Sequence, residues 1–518
     1  MEKVKILWID DEIKLLKPHI LFLERKGYKI FTINNGNDAI DFIKKIKIDI
    51  IFLDENMPGL SGLDTLSIIS QIISTPVIMI TKSEEEHIME EAIGSKISDY
   101  LIKPLNPYQI LLSLKKNLEI KRLVNNKVIS DYQKEFQKIS LLISSANLFS
   151  DWVEVYKKIT FWELELDKIS SDDMNEIIEM QKNEANNLFF KFIRSNYQKL
   201  LHEKFIKDDI CFSQNLLKEK VFPFLSETSN NFCILIDNLR FDQWKVLQPY
   251  FEEFFNIENE SIFSSILPTA TQYSRNSIFS GLLPVELKKV FANYWKGENE
   301  SGGKNLFEEE FLKNLILKSD IKNKKFNYFK ILNSNEGWKL NEKFNSIKNI
   351  DINFIVYNFV DMLSHAKTGI NMIKELTPND KSYRHLTKTW FQNSSLYKML
   401  SLISESKSKL FLFTDHGTIN VKYPSKLIGD KNISTNLRYK TGRKLKYNYK
   451  DVMEIDNPNH IGLNLESLSS NFIFAKPNIY FTYPNNYNKF VNYFKDTYQH
   501  GGISMEEMLC PIIRLSPK

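Results

Sequence analysis

An aspartate and a histidine, Asp415 and His416, stand side by side directly after a short apolar run at residues 409–414. A run of this kind, Lys-Leu-Phe-Leu-Phe-Thr, is typical of a buried parallel strand. Ligands of open α/β sheets bind just beyond the carboxyl ends of the strands. The pair therefore provides half of a metal site, and the alternative is an aspartate that caps a turn beside an uninvolved histidine.

Two other carboxylates are expected at the same edge of the sheet. Strand-like runs of six and eight residues end at Asp237 and Asp361. His365 lies four residues after Asp361, so both side chains share one face if a helical turn starts there. His500 precedes two glycines, which permit a tight backbone beside a ligand.

These six side chains have the chemistry of a two-metal centre. Carboxylate and imidazole are usual ligands of zinc, and manganese or iron also suits them. They divide into two sets of three: Asp237, Asp415 and His416 against Asp361, His365 and His500. Two metals about 3.5–4 Å apart clamp a phosphate and stabilise both the attacking and the leaving oxygen.

Two threonines, Thr269 and Thr271, follow Pro268 just before a predicted helix at residues 274–279. A hydroxyl at a helix amino terminus meets backbone N–H groups that suit a phosphate, and contact with a metal lowers the pKa of that hydroxyl. The alternative is an ordinary threonine N-cap. Arg275, about one turn further along, either steadies a phosphate or is a surface charge.

A second acidic cluster is predicted near the amino terminus, where Asp10, Asp11 and Asp54 follow two predicted strands. Three carboxylates this close repel each other unless a divalent cation such as Mg²⁺ lies among them. Lys103 and Thr81 follow the ends of two neighbouring strands. They would offer a positive charge and a hydroxyl to an incoming phosphoryl group.

Alternating strands and helices must position this cluster. Apolar runs separated by helical periodicity predict a parallel, doubly wound sheet. The predicted strands span residues 4–9, 28–33, 49–53, 76–80 and 99–102, with helices near 14–25 and 37–46.

A helical region without chemical motifs follows. Residues 121–224 contain no glycine and one proline, and their apolar residues recur at helical spacing. The pattern predicts helices over residues 151–166 and 173–205. Five aromatic side chains of this region are predicted to lie in its core: Trp152, Trp162, Phe189, Phe190 and Phe192.

The composition limits the class of protein. At 518 residues the chain is long enough for two or three domains. Its net charge of +5 is too balanced to argue for nucleic acid or a membrane surface. There is no CxxC pair, no signal-peptide core and no membrane-spanning run, so we expect a cytoplasmic protein without membrane insertion.

The run Asp-Glu-Asn-Met-Pro-Gly-Leu-Ser-Gly at residues 54–62, together with Lys103-Pro104, resembles a response-regulator receiver domain. The resemblance implies a flavodoxin-like (βα)5 fold and phosphorylation of Asp54 by a sensor histidine kinase. It also implies a phosphorylation-dependent homodimer that forms through the fourth and fifth strands and the helix between them.

The same resemblance assigns roles to individual residues. It implies that Mg²⁺ is held by Asp11, Asp54 and the carbonyl of Asn56, with Asp10 acting through a water molecule. Thr81 and Tyr100 match the switch pair of the family. Thr81 would turn toward the phosphate, and Tyr100 would follow it inward.

Five short motifs are similar, in order, to those of the alkaline phosphatase superfamily and closest to its PglZ branch: Asp237, Pro268-Thr269-Ala270-Thr271, Asp361-x-x-x-His365, Asp415-His416-Gly417 and His500-Gly501-Gly502. The resemblance implies an alkaline-phosphatase-like α/β domain. It implies that Thr271 attacks phosphorus and forms a phosphothreonine that water hydrolyses. The set with Asp415 would hold the zinc that activates Thr271, and the set with Asp361 the zinc beside the leaving group.

A receiver joined through helices to a PglZ domain resembles the PorX-type response regulators, which are linked to type IX secretion. On that resemblance we expect a receiver at residues 1–120, a helical middle domain at 121–224 and a PglZ domain at 225–518. It implies a zinc phosphodiesterase for cyclic or linear oligonucleotides that contacts a sensor kinase and a sigma factor or secretion-system component. The rival hypothesis is a regulatory binding module whose zinc site has no turnover.

Residues 438–450 interleave arginines and lysines with tyrosines. Such a segment can contact a nucleic-acid backbone and stack its bases. The alternative is a solvated hairpin or loop.

Overall fold

The computed structural model describes residues 3–73, 75–82, 97–169, 172–202, 210–298, 300, 302–429, 434–464 and 471–518. The chain divides into two compact units, Met1–Gln133 and Lys134–Lys518. In the part of the chain that these ranges cover, no helix is both long enough and apolar enough to cross a membrane.

The first unit contains a five-stranded parallel sheet with the strand order β2-β1-β3-β4-β5. Its strands are β1 (Lys5–Ile9), β2 (Lys29–Ile33), β3 (Ile50–Asp54), β4 (Val77–Thr81) and β5 (Asp99–Ile102). Its helices are Lys17–Arg25, Gly36–Ile43, Gly62–Ile72 and the first part of the long helix Pro107–Ser145. The predicted flavodoxin-like doubly wound fold is confirmed. The predicted helix between β4 and β5 lies outside the described residues.

Both faces of this sheet are covered, which explains why its central strands β1, β3 and β4 are almost entirely apolar. Along β1, Leu7 and Ile9 pack into one buried cluster. Ile6 and Trp8 pack into a second cluster on the opposite face. Successive side chains of a strand point to opposite faces, so each strand supplies both cores.

The second unit begins with helices. The helices Phe149–Asp167 and Asp172–His202 follow the long helix Pro107–Ser145, in agreement with the predicted helical middle region. Trp152 is buried and meets Phe189 edge-on at 5.6 Å between ring centroids. Trp162 and Phe190 are also buried, and Phe192 packs on Trp152, so the predicted aromatic core is confirmed.

The rest of the second unit is an α/β domain. Its strands are β6 (Asn231–Ile236), β7 (Phe255–Ser264), β8 (Phe326–Ile331), β9 (Ile352–Tyr357), β10 (Lys409–Phe413), β11 (Ile419–Val421), β12 (Tyr423–Lys426), β13 (Tyr439–Gly442), β14 (Val452–Ile455), β15 (Asn471–Ala475), β16 (Ile479–Thr482), β17 (Thr497–Gln499) and β18 (Leu509–Pro517). A six-stranded mixed sheet has the order β7-β18-β10-β6-β9-β8. In the described residues, three smaller sheets pair β11 with β17, β12 with β16, and β15 with β13 and β14.

Helices connect many of these strands. The α-helices are Phe241–Glu252, Thr271–Ser280, Pro284–Val290, Glu308–Leu317, Ser334–Glu342, Phe344–Ile347, Phe359–Gly369, Asn371–Leu376, Asp380–Gln392, Ser395–Glu405, Tyr487–Phe494 and Met505–Met508. Short 3₁₀ turns span Ser213–Asn215, Phe222–Phe224, Tyr449–Asp451 and Pro458–Ile461, and Leu217–Val221 forms a π-helical turn.

The strand predicted to reach Asp361 ends earlier. β9 stops at Tyr357, and Asp361 lies in the first turn of the helix Phe359–Gly369, whose N-cap is Asn358. Phe359 and Val360 favour strands by propensity, but tertiary packing overrides that preference and buries Val360 on the helix. Asp361 and His365 are therefore one turn apart on this helix, as their spacing predicted.

Candidate active site

The centre of the six-stranded sheet brings the first predicted set of ligands together. β6, β9 and β10 are parallel, with β6 between the other two, so their carboxyl ends share one edge. Asp237 follows β6 directly, and Asp415 comes two residues after β10. One ligand atom each from Asp237, Asp415 and His416 lies within 4.8 Å of the others, and all three residues are buried.

The second predicted set, Asp361, His365 and His500, also lies together, with one ligand atom of each within 4.8 Å of the others. His500 Nε2 is 3.7 Å from Asp361 Oδ1. His365 Nε2 is 3.4 Å from Asp361 Oδ2, and the His365 side chain is 67% exposed. This half of the site therefore opens to solvent, whereas the first half is enclosed.

The two sets are neighbours. The imidazole rings of His416 and His500 stack with their centroids 4.3 Å apart. Asn238 connects the sets, because its backbone N–H donates to Asp415 Oδ1 (3.2 Å) and its side-chain amide donates to Asp361 Oδ1 (3.3 Å). Sequence reasoning missed Asn238. Its φ of +65° is one that asparagine tolerates better than most residues, and that preference was the available signal.

The electrostatics of the site fit divalent metal ions. Burial raises the pKa of Asp237 well above its ordinary value, although Arg275 opposes this shift. Among the described residues, Asp237 Oδ1 has no hydrogen-bond partner. Burial lowers the pKa of His500 to about 3, so its imidazole is neutral near pH 7, the form that ligates metals. Burial acts to raise the pKa of Asp361, but the hydrogen bond from His365 and the charge on that imidazole outweigh it, so this pKa lies below its ordinary value.

Thr271 lies at the edge of the first set. It is the first residue of the helix Thr271–Ser280, which begins three residues earlier than predicted. Its Oγ1 is 3.1 Å from His416 Nε2. Ala270 is the N-cap of this helix, so the alternative of an ordinary threonine cap is wrong.

The other threonine of the motif is enclosed and already bonded. Thr269 is fully buried, its Oγ1 donates to Gly502 O (2.9 Å), and it accepts from Gly501 N (3.0 Å). Gly501 has a φ of +115°, which favours glycine. Thr269 therefore fixes the turn after His500, and the geometry distinguishes it from Thr271.

Arg275 is fully buried, so the alternative of a surface charge is wrong. Its Nε donates to Asp415 Oδ2 at 2.9 Å, and its Nη2 pairs with Asp237. Its Nη1 lies 3.6 Å from a carboxylate oxygen of Glu308, which is also buried. The guanidinium thus offsets the carboxylates of the first set. Glu308 carried no motif and was missed by sequence reasoning.

Replacing Arg275 by methionine should destabilise the metal-depleted protein by about 3–5 kcal/mol, because it leaves buried carboxylates without their cation. Urea unfolding followed by tryptophan fluorescence measures this loss. Arg194→Met is the control, because Arg194 is exposed. A loss for Arg275→Met no larger than that of the control would contradict this role.

The two interpretations of residues 438–450 are both wrong for the first part of the segment. Arg438 and Lys440 are fully buried, so these two residues fit neither the nucleic-acid contact nor the solvated loop. Arg438 pairs with Glu507 at 2.7 Å. Lys440 lies in β13, donates to Ser434 O (2.7 Å), and has its pKa lowered to about 7 by burial. The basic side chains further along the segment, from residue 443, are exposed.

The first unit also brings its predicted residues together. Single carboxylate oxygens of Asp10, Asp11 and Asp54 lie within 4.8 Å of one another, a donor set that suits Mg²⁺. Lys103 Nζ pairs with Asp54 Oδ1 at 2.8 Å and with Asp10 Oδ2 at 3.0 Å. Burial raises the pKa of Asp54 above its ordinary value. The hydrogen bonds to Asp54 and Asp10 outweigh burial and raise the pKa of Lys103.

The predicted switch residues have different environments. Thr81 is buried and donates to a carboxylate oxygen of Glu55. Tyr100 is 40% exposed. Asn56 is exposed two residues beyond the end of β3. The hydroxyl of Thr81 thus lies within the protein while the Tyr100 ring faces solvent.

Comparison with known proteins identifies the parts of the chain. The family model of the response regulator receiver domain matches residues 6–115. That of the PorX response regulator linker domain matches residues 122–201, and that of the BREX system PglZ alkaline phosphatase-like domain matches residues 216–515. The predicted PorX-type combination is confirmed.

Curated relatives match the amino-terminal part. The transcriptional regulatory protein ResD of Bacillus subtilis (strain 168) is 34% identical over 113 residues, which cover 22% of this chain and 47% of ResD. The regulatory protein VanRc of Enterococcus gallinarum is 28% identical over 139 residues, 27% of this chain and 60% of VanRc. The chain thus spans about half the length of these relatives.

Solved structures match the same part. CheY4 of Vibrio cholerae is 28% identical, and the alignment covers 23% of this chain and 100% of CheY4, with a TM-score of 0.22. A two-component response regulator from Clostridium difficile is 32% identical. The alignment covers 23% of this chain and 97% of the regulator, also with a TM-score of 0.22.

The PglZ match extends over more than half of the chain and contains both sets of candidate ligands. The receiver and linker matches precede it along the chain. The chain therefore joins a receiver-domain match and a PorX linker match to this region, and it belongs to the family of BREX system PglZ alkaline phosphatase-like domains.

Proposed function

We propose that the output domain is a zinc-dependent phosphodiesterase with Thr271 as its nucleophile. The observation that carries this proposal is the position of the Thr271 hydroxyl, 3.1 Å from His416 Nε2, beside two neighbouring sets of carboxylates and imidazoles. In a structural zinc site four protein ligands fill the coordination sphere of one ion, and no additional hydroxyl lies beside the ligands.

Asp237, Asp415 and His416 would hold one zinc ion, and Asp361, His365 and His500 the other. When bound, such a pair supplies Lewis-acid stabilisation of phosphate oxygens and lowers the pKa of a nearby hydroxyl. Thr271 Oγ1 would lose its proton to solvent and form the new bond to phosphorus while the bond to the leaving oxygen breaks, and that oxygen would take up a proton from solvent and depart as an alcohol. Water would then displace Thr271 from the phosphothreonine and restore its hydroxyl. The first turn of the helix leaves backbone N–H groups without helical partners, which suit phosphate oxygens.

The proposed substrates are cyclic or linear oligonucleotides, and the proposed setting is the cytoplasm of a cell with type IX secretion. The PorX-type combination of modules supports both. The exposed side chain of His365 also supports a polymeric substrate, because it leaves one side of the site open. A sigma factor or a secretion-system component is the proposed downstream partner.

The receiver would accept a phosphoryl group at Asp54 from a sensor histidine kinase. Asp10, Asp11, Asp54 and the Asn56 carbonyl would hold Mg²⁺. The contact of Lys103 with both Asp10 and Asp54 supports this role, because a cation there can meet a phosphoryl oxygen. Thr81 and Tyr100 would reorient as the new charge forms, and the phosphorylated chain would form a homodimer.

The test combines elemental analysis, hydrolysis of bis-p-nitrophenyl phosphate and light scattering, each with and without acetyl phosphate. We expect two zinc ions per chain, turnover of the diester, and a shift from monomer to dimer when acetyl phosphate is added. Asp54→Ala should keep its zinc and its basal turnover but remain monomeric. Dimerisation of this variant would remove the switch, and zinc without turnover on the diester and on oligonucleotides would favour the binding module.

A further inference from the structure

The helix Asp172–His202 of the middle region contacts the loop that carries Thr271. The hydroxyl of Tyr197, a buried residue of this helix, accepts a hydrogen bond from the backbone N–H of Leu267 at 2.8 Å. Leu267 lies four residues before Thr271, in the connection between β7 and the helix Thr271–Ser280. A side chain from the middle region thus bonds directly to the loop of the proposed nucleophile.

This contact matters because Leu267 is fully buried. A buried N–H without a partner costs about 1–3 kcal/mol, so a loop that loses this bond is expected to shift until the group is satisfied again. The neighbouring backbone N–H groups are also held from outside the loop: Ser265 N donates to Met508 O, and Ile266 N donates to Ser213 Oγ. The position of the loop therefore depends on the elements around it.

A second contact runs from the same helix to the short helix Met505–Met508. Asn186 donates to the Glu506 carboxylate at 2.9 Å and accepts from the backbone N–H of Met505 at 2.9 Å. The backbone carbonyl of Glu506 lies so close to Gly417 that a Cβ there would be 2.0 Å from it. Gly417 directly follows His416, so Asn186 supports the strand-end segment that holds the first set of ligands.

The two contacts share one face of the helix. Asn186 and Tyr197 are eleven residues apart, close to three full turns at about 3.6 residues per turn. Gln181, one to two turns before Asn186, donates to Phe136 O (3.0 Å) and Ser140 Oγ (2.9 Å) of the helix Pro107–Ser145. The helix Asp172–His202 is therefore bonded to the helix Pro107–Ser145 through Gln181, and further along to the short helix Met505–Met508 and to the loop before Thr271.

We propose that Tyr197 is a positioning residue for Thr271, and that the helix Asp172–His202 sets the conformation of the nucleophile loop. The inference rests on the proposed function of Thr271. Loss of the Tyr197 hydrogen bond alone would move Thr271 relative to His416 and leave both metal-ligand sets in place, because the Asn186 contact to the segment of the first set remains. Misplacement of a reacting group by about 1 Å can lower a rate by about a hundredfold.

The test compares Tyr197→Phe with Tyr156→Phe. Both tyrosines are buried, but the Tyr156 hydroxyl has no hydrogen-bond partner among the described residues. Tyr156→Phe therefore removes a buried hydroxyl without removing a hydrogen bond, and it is the matched control. Hydrogen–deuterium exchange of peptides that cover residues 262–273 should be faster in Tyr197→Phe than in the parent and in Tyr156→Phe. In the same variant, kcat for bis-p-nitrophenyl phosphate should fall about tenfold, with KM within about twofold and zinc content unchanged.

Unchanged exchange in residues 262–273 would overturn the inference, and so would a kcat equal to that of Tyr156→Phe. A loss of zinc in Tyr197→Phe would also overturn it, because the effect would then be on metal binding. A parent protein that does not hydrolyse the diester contradicts the proposed function instead. The exchange comparison then decides by itself whether Tyr197 holds the loop.

Discussion

Replacing Thr271 by valine is expected to lower kcat for bis-p-nitrophenyl phosphate by at least about a thousandfold, the scale of loss when a covalent nucleophile is removed. Valine keeps the shape of threonine but lacks the hydroxyl that lies 3.1 Å from His416 Nε2. Zinc content should not change, because the six other ligands remain. Steady-state kinetics and elemental analysis on the same preparation measure both effects.

The control for this variant is Ser277→Ala. Ser277 is fully buried on the same helix, and its Oγ has no hydrogen-bond partner among the described residues. The Ser277→Ala variant should keep kcat within about twofold of the parent, since no hydrogen bond to the site is lost. Turnover by Thr271→Val at the parental rate would show that Thr271 is not the nucleophile, and water activated at the site would replace it in the mechanism.

Removal of zinc is expected to abolish turnover and to lower the melting temperature. The first set places Asp237 and Asp415 in the protein interior with Arg275 as the cation that pairs with both. An ion bound to the folded state alone stabilises it by about 4 kcal/mol when present at 1,000 times its dissociation constant. Differential scanning calorimetry before and after metal removal measures the shift.

The chelator should be 1,10-phenanthroline with excess Mg²⁺ present throughout, so that the acidic cluster of the receiver keeps its cation. Re-addition of zinc should restore both the melting temperature and the turnover. Full turnover by a protein that elemental analysis shows to be free of zinc would contradict the metal-dependent mechanism. A melting temperature that does not change would place the metal outside the buried set.

Much of the candidate site could be predicted because it is attached to strand ends. Asp237 and Asp415 each follow an apolar run, and the carboxyl ends of neighbouring parallel strands lie at one edge of a sheet. The same reasoning predicted the cluster of Asp10 and Asp54. The position of His416 could be predicted as well, because it is adjacent to Asp415 in the chain and adjacent residues stay close in any fold.

Other parts of the site could not be predicted from local pattern. Arg275 in the sequence is a charged helical residue like many others. Its burial depends on Asp237, Asp415 and Glu308, which come from elements far apart in the chain. Asn238 carried only a weak signal, since an asparagine after a strand usually marks a turn.

The sequence by itself determined the types of candidate ligand, their order and the strands or helical spacings that carry them, since these follow from the local periodicity and chemistry of each segment. The tertiary structure alone decided which hydroxyl, Thr269 or Thr271, faces His416, because the Thr269 hydroxyl accepts a hydrogen bond from Gly501 N and donates one to Gly502 O. It also decided the environment of Tyr197, whose hydroxyl meets a backbone group seventy residues away. Contacts of this kind depend on how whole elements pack, and no pattern within a single segment encodes them.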